Sequence, residues 1–139
     1  MAGNITFTMI KPTAMQKGYM GNIIAKIIDG GFKIKALKMT RMSKADAMEF
    51  YAVHRERPFY KGLTDFMSSG PIIAAVLEKE DAVKAYRDFI GATNPENAAE
   101  GTIRALFGTS IEANAVHGSD SDENAIIESG FFFSKREWV

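Results

Sequence analysis

Asn114-Ala115-Val116-His117-Gly118-Ser119-Asp120-Ser121 predicts the place where the last strand of the fold meets the last helix. Small and apolar residues lead into His117, and Gly118 allows a sharp turn or the close approach of a ligand. Asp120, with Glu123 three residues later, predicts a helix N-terminus, whose dipole favours negative charge. A neutral imidazole at that position can act as a nucleophile toward a phosphoryl group. On the local pattern alone, a hydrogen-bonded structural histidine is the commoner alternative.

The composition predicts a single domain and excludes several classes of site. The chain has 139 residues, 46% of them hydrophobic, with 17 basic and 17 acidic side chains. This length is enough for one domain over residues 1–139 with a substantial core. A net charge of zero gives no electrostatic footprint for nucleic acid. The absence of cysteine excludes disulfides, thiolate metal sites and cysteine nucleophiles.

The sequence carries no targeting or membrane signal. Met1-Ala2-Gly3-Asn4 lacks the basic and apolar segments of a secretory leader. No apolar run approaches the roughly 20 residues that a membrane span requires. We therefore expect a cytoplasmic protein with neither a membrane nor a nucleic-acid partner.

Three further segments predict strands. Residues 5–10 alternate large apolar side chains with threonine and stop at Lys11-Pro12, because proline cannot continue the ladder. The apolar positions of residues 32–42 change phase near Leu37, which indicates a bulge. Residues 71–77 are apolar throughout, as expected of a central strand covered on both faces.

Apolar side chains at helical spacing predict helices between these strands. They cover residues 22–28, a segment opened by Ser43 and Asp46, residues 60–67, residues 81–90, and the chain after Asp120. Residues 91–108 form the longest irregular stretch, and loops of that length are uncommon unless they are functional. The alternation of strands and helices predicts an α+β sandwich with helices on one side of a four-stranded sheet.

Six separated motifs resemble the nucleoside diphosphate kinase family. They are Ile10-Lys11-Pro12, Arg57-Pro58-Phe59-x-x-Gly62-Leu63, Arg87, Ala92-Thr93-Asn94-Pro95, Gly101-Thr102-Ile103-Arg104-Ala105 and Asn114-x-x-His117-Gly118-Ser119-Asp120-Ser121. The resemblance covers nearly the whole chain and implies a ferredoxin-like fold, with helices packed on a four-stranded antiparallel sheet. The sequence has no Walker A and no G-x-G-x-x-G pattern, so a P-loop or protein-kinase mechanism is not expected.

The resemblance implies a ping-pong kinase that carries the γ-phosphoryl group of a nucleoside triphosphate on His117 and passes it to a nucleoside diphosphate. Glu128, 11 residues later, would orient the histidine, and Tyr51 would help to hold the histidine or Lys11. The family's phosphate-binding positions correspond to Lys11, Arg87, Thr93 and Arg104. Asn114 would contact the sugar, and the base would stack on Phe59 with Leu63 beside it. The resemblance also implies Mg²⁺ carried on the nucleotide phosphates, and a homo-oligomer that is a tetramer or a hexamer.

The same residues also have ordinary structural explanations. Lys11 could be a surface lysine and Glu128 a solvated helix glutamate. Arg87 could be a surface arginine whose stem covers apolar atoms. An aromatic residue in a turn, such as Phe59, is most often a core anchor. His54 has no site-like neighbours in the sequence, and we interpret it as a surface residue.

The chain departs at two positions from the pattern of the family that it resembles. Leu106 stands where members usually carry aspartate, and Glu100 where many carry proline. We expect these changes to affect the packing of the long loop more than the chemistry. Residues 131–138 are too aromatic to lie bare in a monomer, so we expect them to pack on the domain or on a neighbour.

Two other classes of function remain open on the sequence. A phosphocarrier would pass the group from a surface phosphohistidine to a protein partner, and it would not need Phe59 beside three cationic side chains. A non-catalytic ferredoxin-like binding module would not require His117. Labelling with ATP separates these alternatives from the kinase.

Overall fold

A computed structural model describes residues 3–139 as a four-stranded antiparallel sheet with helices packed on it. The strands are β1 (Ile5–Ile10), β2 (Lys33–Thr40), β3 (Ile72–Glu78) and β4 (Val116–Gly118), in the order β2-β3-β1-β4. The helices are α1 (Pro12–Gln16), α2 (Met20–Asp29), α3 (Lys44–Phe50), α4 (Tyr60–Met67), α5 (Ala82–Ile90), α6 (Ile103–Phe107) and α7 (Asp122–Phe132). The strands β1 to β3 and the helices α2 to α5 lie within a few residues of their predicted bounds.

The sheet is covered on both faces, so the prediction of helices on one side of it is wrong. Successive side chains of β3 belong to two separate cores. In the first core, Ile73, Ala75 and Leu77 pack against α2 and α5. In the second core, Ile72, Ala74 and Val76 pack against α3 and α4. The reason lies in β3 itself, because a strand that is apolar on both faces can leave neither face to water.

The predicted bulge lies in β2, and the C-terminal residues form hydrogen bonds and an ion pair with this strand. The pairing of β2 with β3 shifts register between Ile34 and Ala36, which leaves Lys35 as the extra residue. The backbone N–H of Val139 donates to the Lys35 carbonyl at 2.8 Å. Lys38 forms an ion pair with Glu137 at 3.1 Å. The aromatic C-terminal segment therefore packs on its own domain, with Phe133 and Trp138 in or against the second core.

Two details of the helices differ from the sequence prediction. The stretch interpreted as irregular contains α6, whose first turn is capped by the Thr102 hydroxyl, and a single 3₁₀ turn over Pro95–Asn97. A five-residue helix is too short to show a periodic pattern. The N-cap of α7 is Ser121, which accepts from the Asn124 N–H at 3.0 Å, and not Asp120.

No helix within residues 3–139 is long and apolar enough to cross a bilayer.

Candidate active site

His117 lies in β4, at the edge of the sheet, with Glu128 directly beside it. β4 pairs with the end of β1, so that His117 is opposite Met9. The helix α7 packs back over β1 and brings its second turn to β4. As a result, Nε2 of His117 is 2.9 Å from Oε1 of Glu128. The structure thus brings together the two residues that the family pattern separates by 11 positions.

Ser119 belongs to the same hydrogen-bond chain, although the sequence analysis did not single it out. Its hydroxyl donates to Oε1 of Glu128 at 2.7 Å and accepts from the Phe7 N–H at 3.1 Å. Ser119 is fully buried, so the chain is anchored in the sheet. An ionised carboxylate only accepts hydrogen bonds, so Nε2 of His117 carries the proton that it donates to Glu128. The lone pair of the imidazole is then on Nδ1.

Lys11 is a buried cation at the end of β1. Its side chain is only 7% exposed, and Nζ donates to the Glu112 carbonyl at a long 3.4 Å. Within residues 3–139 it forms no ion pair with a carboxylate. Burial and the neighbouring Arg104 lower the pKa of Lys11, the Glu112 charge offsets part of this, and the resulting pKa is about 7. The site therefore holds an amine that lacks a fixed counter-ion.

Arg104 is a second buried cation, provided by α6. Its guanidinium donates to the carbonyls of Gly91 at 3.1 Å and Val116 at 2.9 Å, while its buried Nε has no partner in the described chain. Burial lowers the pKa of Arg104, Tyr86 offsets part of this and Arg87 adds to it, and the resulting pKa is about 10. Buried charges are normally paired, so a cluster of unpaired cations indicates a site for an anion.

A cavity of about 410 Å³ collects three of the predicted phosphate-binding residues, Arg87, Thr93 and Arg104. Gly91 forms part of its wall with φ at +95°, and a Cβ there would lie 2.6 Å from Oγ1 of Thr102. Only glycine fits that position, because the left-handed backbone and the close contact both exclude a side chain. The departures Leu106 and Glu100 are exposed to solvent and do not line this cavity.

The three residues before His117 connect the predicted phosphate-binding groups to its strand. The Asn114 amide donates to the Thr93 carbonyl at 2.9 Å. The carbonyl of the next residue, Ala115, accepts from the Lys11 backbone N–H at 2.9 Å, and the Val116 carbonyl accepts from Arg104. Ala115 has φ at +75°, a conformation that non-glycine residues rarely adopt. Such outliers persist where the surrounding contacts determine them.

An aromatic row leads from His117 toward the surface. Tyr51 packs edge-on against His117 with ring centroids 6.4 Å apart, and its buried hydroxyl has no partner among residues 3–139. Burial raises the pKa of Tyr51, and the charge of Glu128 raises it further. His54 stacks on Tyr51 at 6.4 Å and contacts Phe59 at 5.4 Å. His54, which we interpreted as a surface residue, is half-buried, and its ring lies between those of two predicted site residues, three positions after Tyr51 and five before Phe59.

Phe59 is 50% exposed at the start of α4, which excludes the core-anchor alternative. Leu63, one turn later, is half-buried and packs against the second core. The ring of Phe59 thus offers an open apolar face at the surface end of the row. Residues 3–139 contain no group of three or more His, Asp or Glu side chains that could hold a metal ion.

A family model described as nucleoside diphosphate kinase matches residues 4–138. The chain belongs to the nucleoside diphosphate kinase family. A nucleoside diphosphate kinase of Flavobacterium psychrophilum is 59% identical over 137 residues, covering 99% of both chains. One of Wolinella succinogenes is 58% identical over 132 residues, covering 95% of this chain and 96% of the relative. The recognition of the family from the six motifs is confirmed, and the protein is an enzyme.

Solved nucleoside diphosphate kinases share the fold over nearly the whole chain. The Aquifex aeolicus enzyme superposes with a TM-score of 0.96 at 52% identity, covering 98% of this chain and 99% of that one. A halophilic member from Halobacterium salinarum, solved in complex with CDP, has a TM-score of 0.92 at 37% identity and covers 99% and 92%. The predicted ferredoxin-like α+β fold is therefore confirmed.

Proposed function

We propose that this nucleoside diphosphate kinase carries the phosphoryl group on Nδ1 of His117. The observation that supports this most directly is the set of three hydrogen bonds that tie Thr93, Lys11 and Arg104 to the residues just before His117. Cationic groups and the nucleophile then belong to one rigid unit. Phosphoryl transfer depends on positioning and charge neutralisation more than on covalent chemistry by the protein, and this arrangement supplies both.

Each half-reaction moves one phosphoryl group. The Nδ1 lone pair forms a bond to the γ-phosphorus, the bond from that phosphorus to the β,γ-bridging oxygen breaks, and the diphosphate leaves with the electron pair. Glu128 accepts from Nε2–H throughout and stabilises the positive charge on the ring. Lys11, Arg87 and Arg104 neutralise the phosphate oxygens, and Thr93 donates a neutral hydrogen bond. A second diphosphate reverses these steps.

The nucleoside would lie between the cavity and Phe59. The buried Oδ1 of Asn114 has no partner in the described chain, and a sugar hydroxyl would satisfy it. The exposed ring of Phe59 would stack on the base, with Leu63 supporting it. The Halobacterium salinarum relative binds CDP, in keeping with nucleoside di- and triphosphates as the ligands of this chain.

The residues present do not form a cage for Mg²⁺, because no cluster of three or more acidic or histidine side chains exists within residues 3–139. We therefore propose that the ion is bound by the nucleotide phosphates and arrives with them. A homo-oligomer stays a prediction. The exposed Leu37 and Met39 on the edge strand β2 are apolar surface that favours it.

Labelled ATP tests the proposal against its alternatives. Incubation should give an acid-labile, alkali-stable phosphoprotein, and GDP added alone should then become labelled GTP. Label that is retained until a second protein is added would support the phosphocarrier. Nucleotide binding without any label would support the binding module.

Replacing Glu128 with Gln should slow phosphotransfer about 10- to 100-fold, the usual effect of losing a supporting contact. The amide keeps the size of the side chain but removes the charge that stabilises the imidazolium. The measurement is the rate of phosphoenzyme formation from ATP. Glu123→Gln, an exposed change on the first turn of the same helix, is the matched control. Equal rates for Glu128→Gln and the parent would refute the orienting role.

Replacing Phe59 with Ala should weaken all nucleotides by a similar amount, about 1–3 kcal/mol on the usual stacking scale. Stacking is tolerant because every base has a π-face, and purines should lose slightly more through their larger face. The measurement is kcat/KM for ATP, GTP, CTP and UTP. Ile126→Ala, which removes an exposed apolar side chain from α7, serves as control. A large loss confined to one base would mean that Phe59 does not act by stacking.

A further inference from the structure

Residues 109–113, here called the mouth loop, form a compact turn between Lys11 and α4. The Thr109 N–H and hydroxyl both donate to the Ala113 carbonyl, at 2.9 and 3.2 Å, and the Ser110 hydroxyl accepts from the Ala113 N–H at 3.0 Å. One end of the loop is held by the bond from Lys11 to the Glu112 carbonyl. The loop is therefore a fixed platform that presents the Glu112 side chain.

The carboxylate of Glu112 lies on the first turn of α4. A Cβ added to Gly62 would be 3.1 Å from Oε2 of Glu112, so the missing side chain leaves the room that the carboxylate uses. Gly62 follows Phe59 by three residues, and Phe59 already has helical backbone angles. Residues at that spacing share a helix face, with Cβ atoms about 5–6 Å apart. The carboxylate thus lies on the same turn of α4 that begins at Phe59.

This carboxylate is also free to bind a ligand. Glu112 is exposed, and its side chain forms no hydrogen bond or ion pair with any of the residues 3–139. Its charge raises the pKa of Lys11, so the carboxylate is close enough to interact with this phosphate-binding cation. A nucleotide with its phosphates near Lys11 and its base on Phe59 would therefore pass the carboxylate at the edge of the base.

We propose that Glu112 recognises the Watson–Crick edge of guanine and makes this kinase prefer guanine nucleotides; the inference rests on the proposed function. An ionised carboxylate has only acceptors, and guanine presents two adjacent donors, N1–H and N2–H₂, that match them bidentately. Adenine, cytosine and uracil each offer a single donor group on that edge, and adenine and cytosine set an acceptor beside it. The preference adds to stacking on Phe59, which all bases share.

The test compares GDP, IDP and ADP as phosphoryl acceptors and as ligands. The parent should favour GDP over ADP by about 5- to 10-fold in kcat/KM, the lower end for bidentate base recognition because the carboxylate is exposed. IDP keeps N1–H but lacks the N2 amine, so it should be intermediate. Glu112→Ala should reduce the GDP:ADP ratio to about 1, whereas Glu80→Ala, at the opposite end of the sheet, should keep it.

A second variant separates position from charge. Gly62→Ala retains the carboxylate and displaces it by a few tenths of an ångström, because its Cβ would be 3.1 Å from Oε2, so this variant should lower the GDP:ADP ratio less than Glu112→Ala does. An unchanged ratio in Glu112→Ala, with normal transfer to all acceptors, overturns the inference and leaves the kinase intact. Equilibrium binding of GDP and ADP needs no turnover. If the parent transferred no phosphoryl group, but Glu112→Ala lost affinity for GDP and not for ADP, the inference would be upheld and the phosphotransfer proposal refuted.

Discussion

The His117→Ala variant is expected to fold normally and to bind nucleotides, while phosphotransfer falls on the order of 10⁴-fold or more, the scale of removing a covalent nucleophile. Folding should survive because the His117 side chain is 17% exposed and does not occupy the centre of a core. It contacts the rings of Phe7, Phe50 and Tyr51 edge-on. Circular dichroism and thermal unfolding check the fold, and exchange between ATP and GDP checks the activity.

The second histidine gives a matched control for this experiment. The chain has two histidines, so a phosphohistidine must be at His54 or His117. His54→Ala removes a ring that stacks between Tyr51 and Phe59, and it should reduce turnover but still become labelled. If His117→Ala still became labelled, or if His54→Ala alone lost the label, the phosphoryl carrier would be His54 and not His117.

The Lys11→Met variant is expected to lose about 10²–10³-fold in kcat, the usual effect of removing one donor aimed at developing charge, while the protein becomes more stable. Methionine fills the same buried space without a charge that must be desolvated. Burial holds the pKa of Lys11 at about 7 in the native state, against 10.5 in the unfolded chain. The difference of about 3.5 units, at about 1.36 kcal/mol each, corresponds to about 5 kcal/mol, which is the upper bound on the gain expected at pH 6.

The pH dependence of this gain has a definite sign. Between about pH 7 and 10.5 the unfolded parent binds a proton at Lys11 that the native parent does not. The free energy of unfolding of the parent therefore rises with pH through that window, and Lys11→Met loses this rise. The advantage of methionine is largest below pH 7 and disappears above pH 10.5. Denaturant unfolding at pH 6, 8 and 10 measures it, with the exposed Lys135→Met as control. A Lys11→Met protein less stable than the parent at pH 6 would contradict the buried-cation description.

Most elements could be predicted from local pattern, because each strand or long helix has a periodicity of its own. The Ser43 and Asp46 signal is an observed capping box, and the phase change in residues 32–42 is an observed bulge. The helix α6 could not be predicted in this way, because a five-residue helix has too few positions for a pattern. The apolar run of residues 71–77 already indicated a strand covered on both faces, but which helices cover each face depends on where distant segments return.

The same distinction holds for the site. Residues in a recognisable motif, such as His117 and Arg104, could be proposed from the sequence. Ser119 and Glu112 could not be assigned roles, because their neighbours are distant in the chain: Phe7 for Ser119, and the backbone of α4 at Gly62 for Glu112. The neighbours of His54 are close in the chain, but no periodic pattern indicates that its ring lies between those of Tyr51 and Phe59. Glu112 follows Phe59 by 53 residues, so no pattern around Phe59 in the sequence indicates a polar group that could distinguish the bases.

The position of β3 in the chain also has a consequence for synthesis on the ribosome. Six consecutive residues of β3 are buried and uncharged, the composition that promotes cross-β aggregation when such a segment is exposed. Both strands that flank it in the sheet, β1 and β2, precede it in the chain. When β3 emerges, its two hydrogen-bonding partners have already been made, and the order of translation limits the time during which this segment is without a partner.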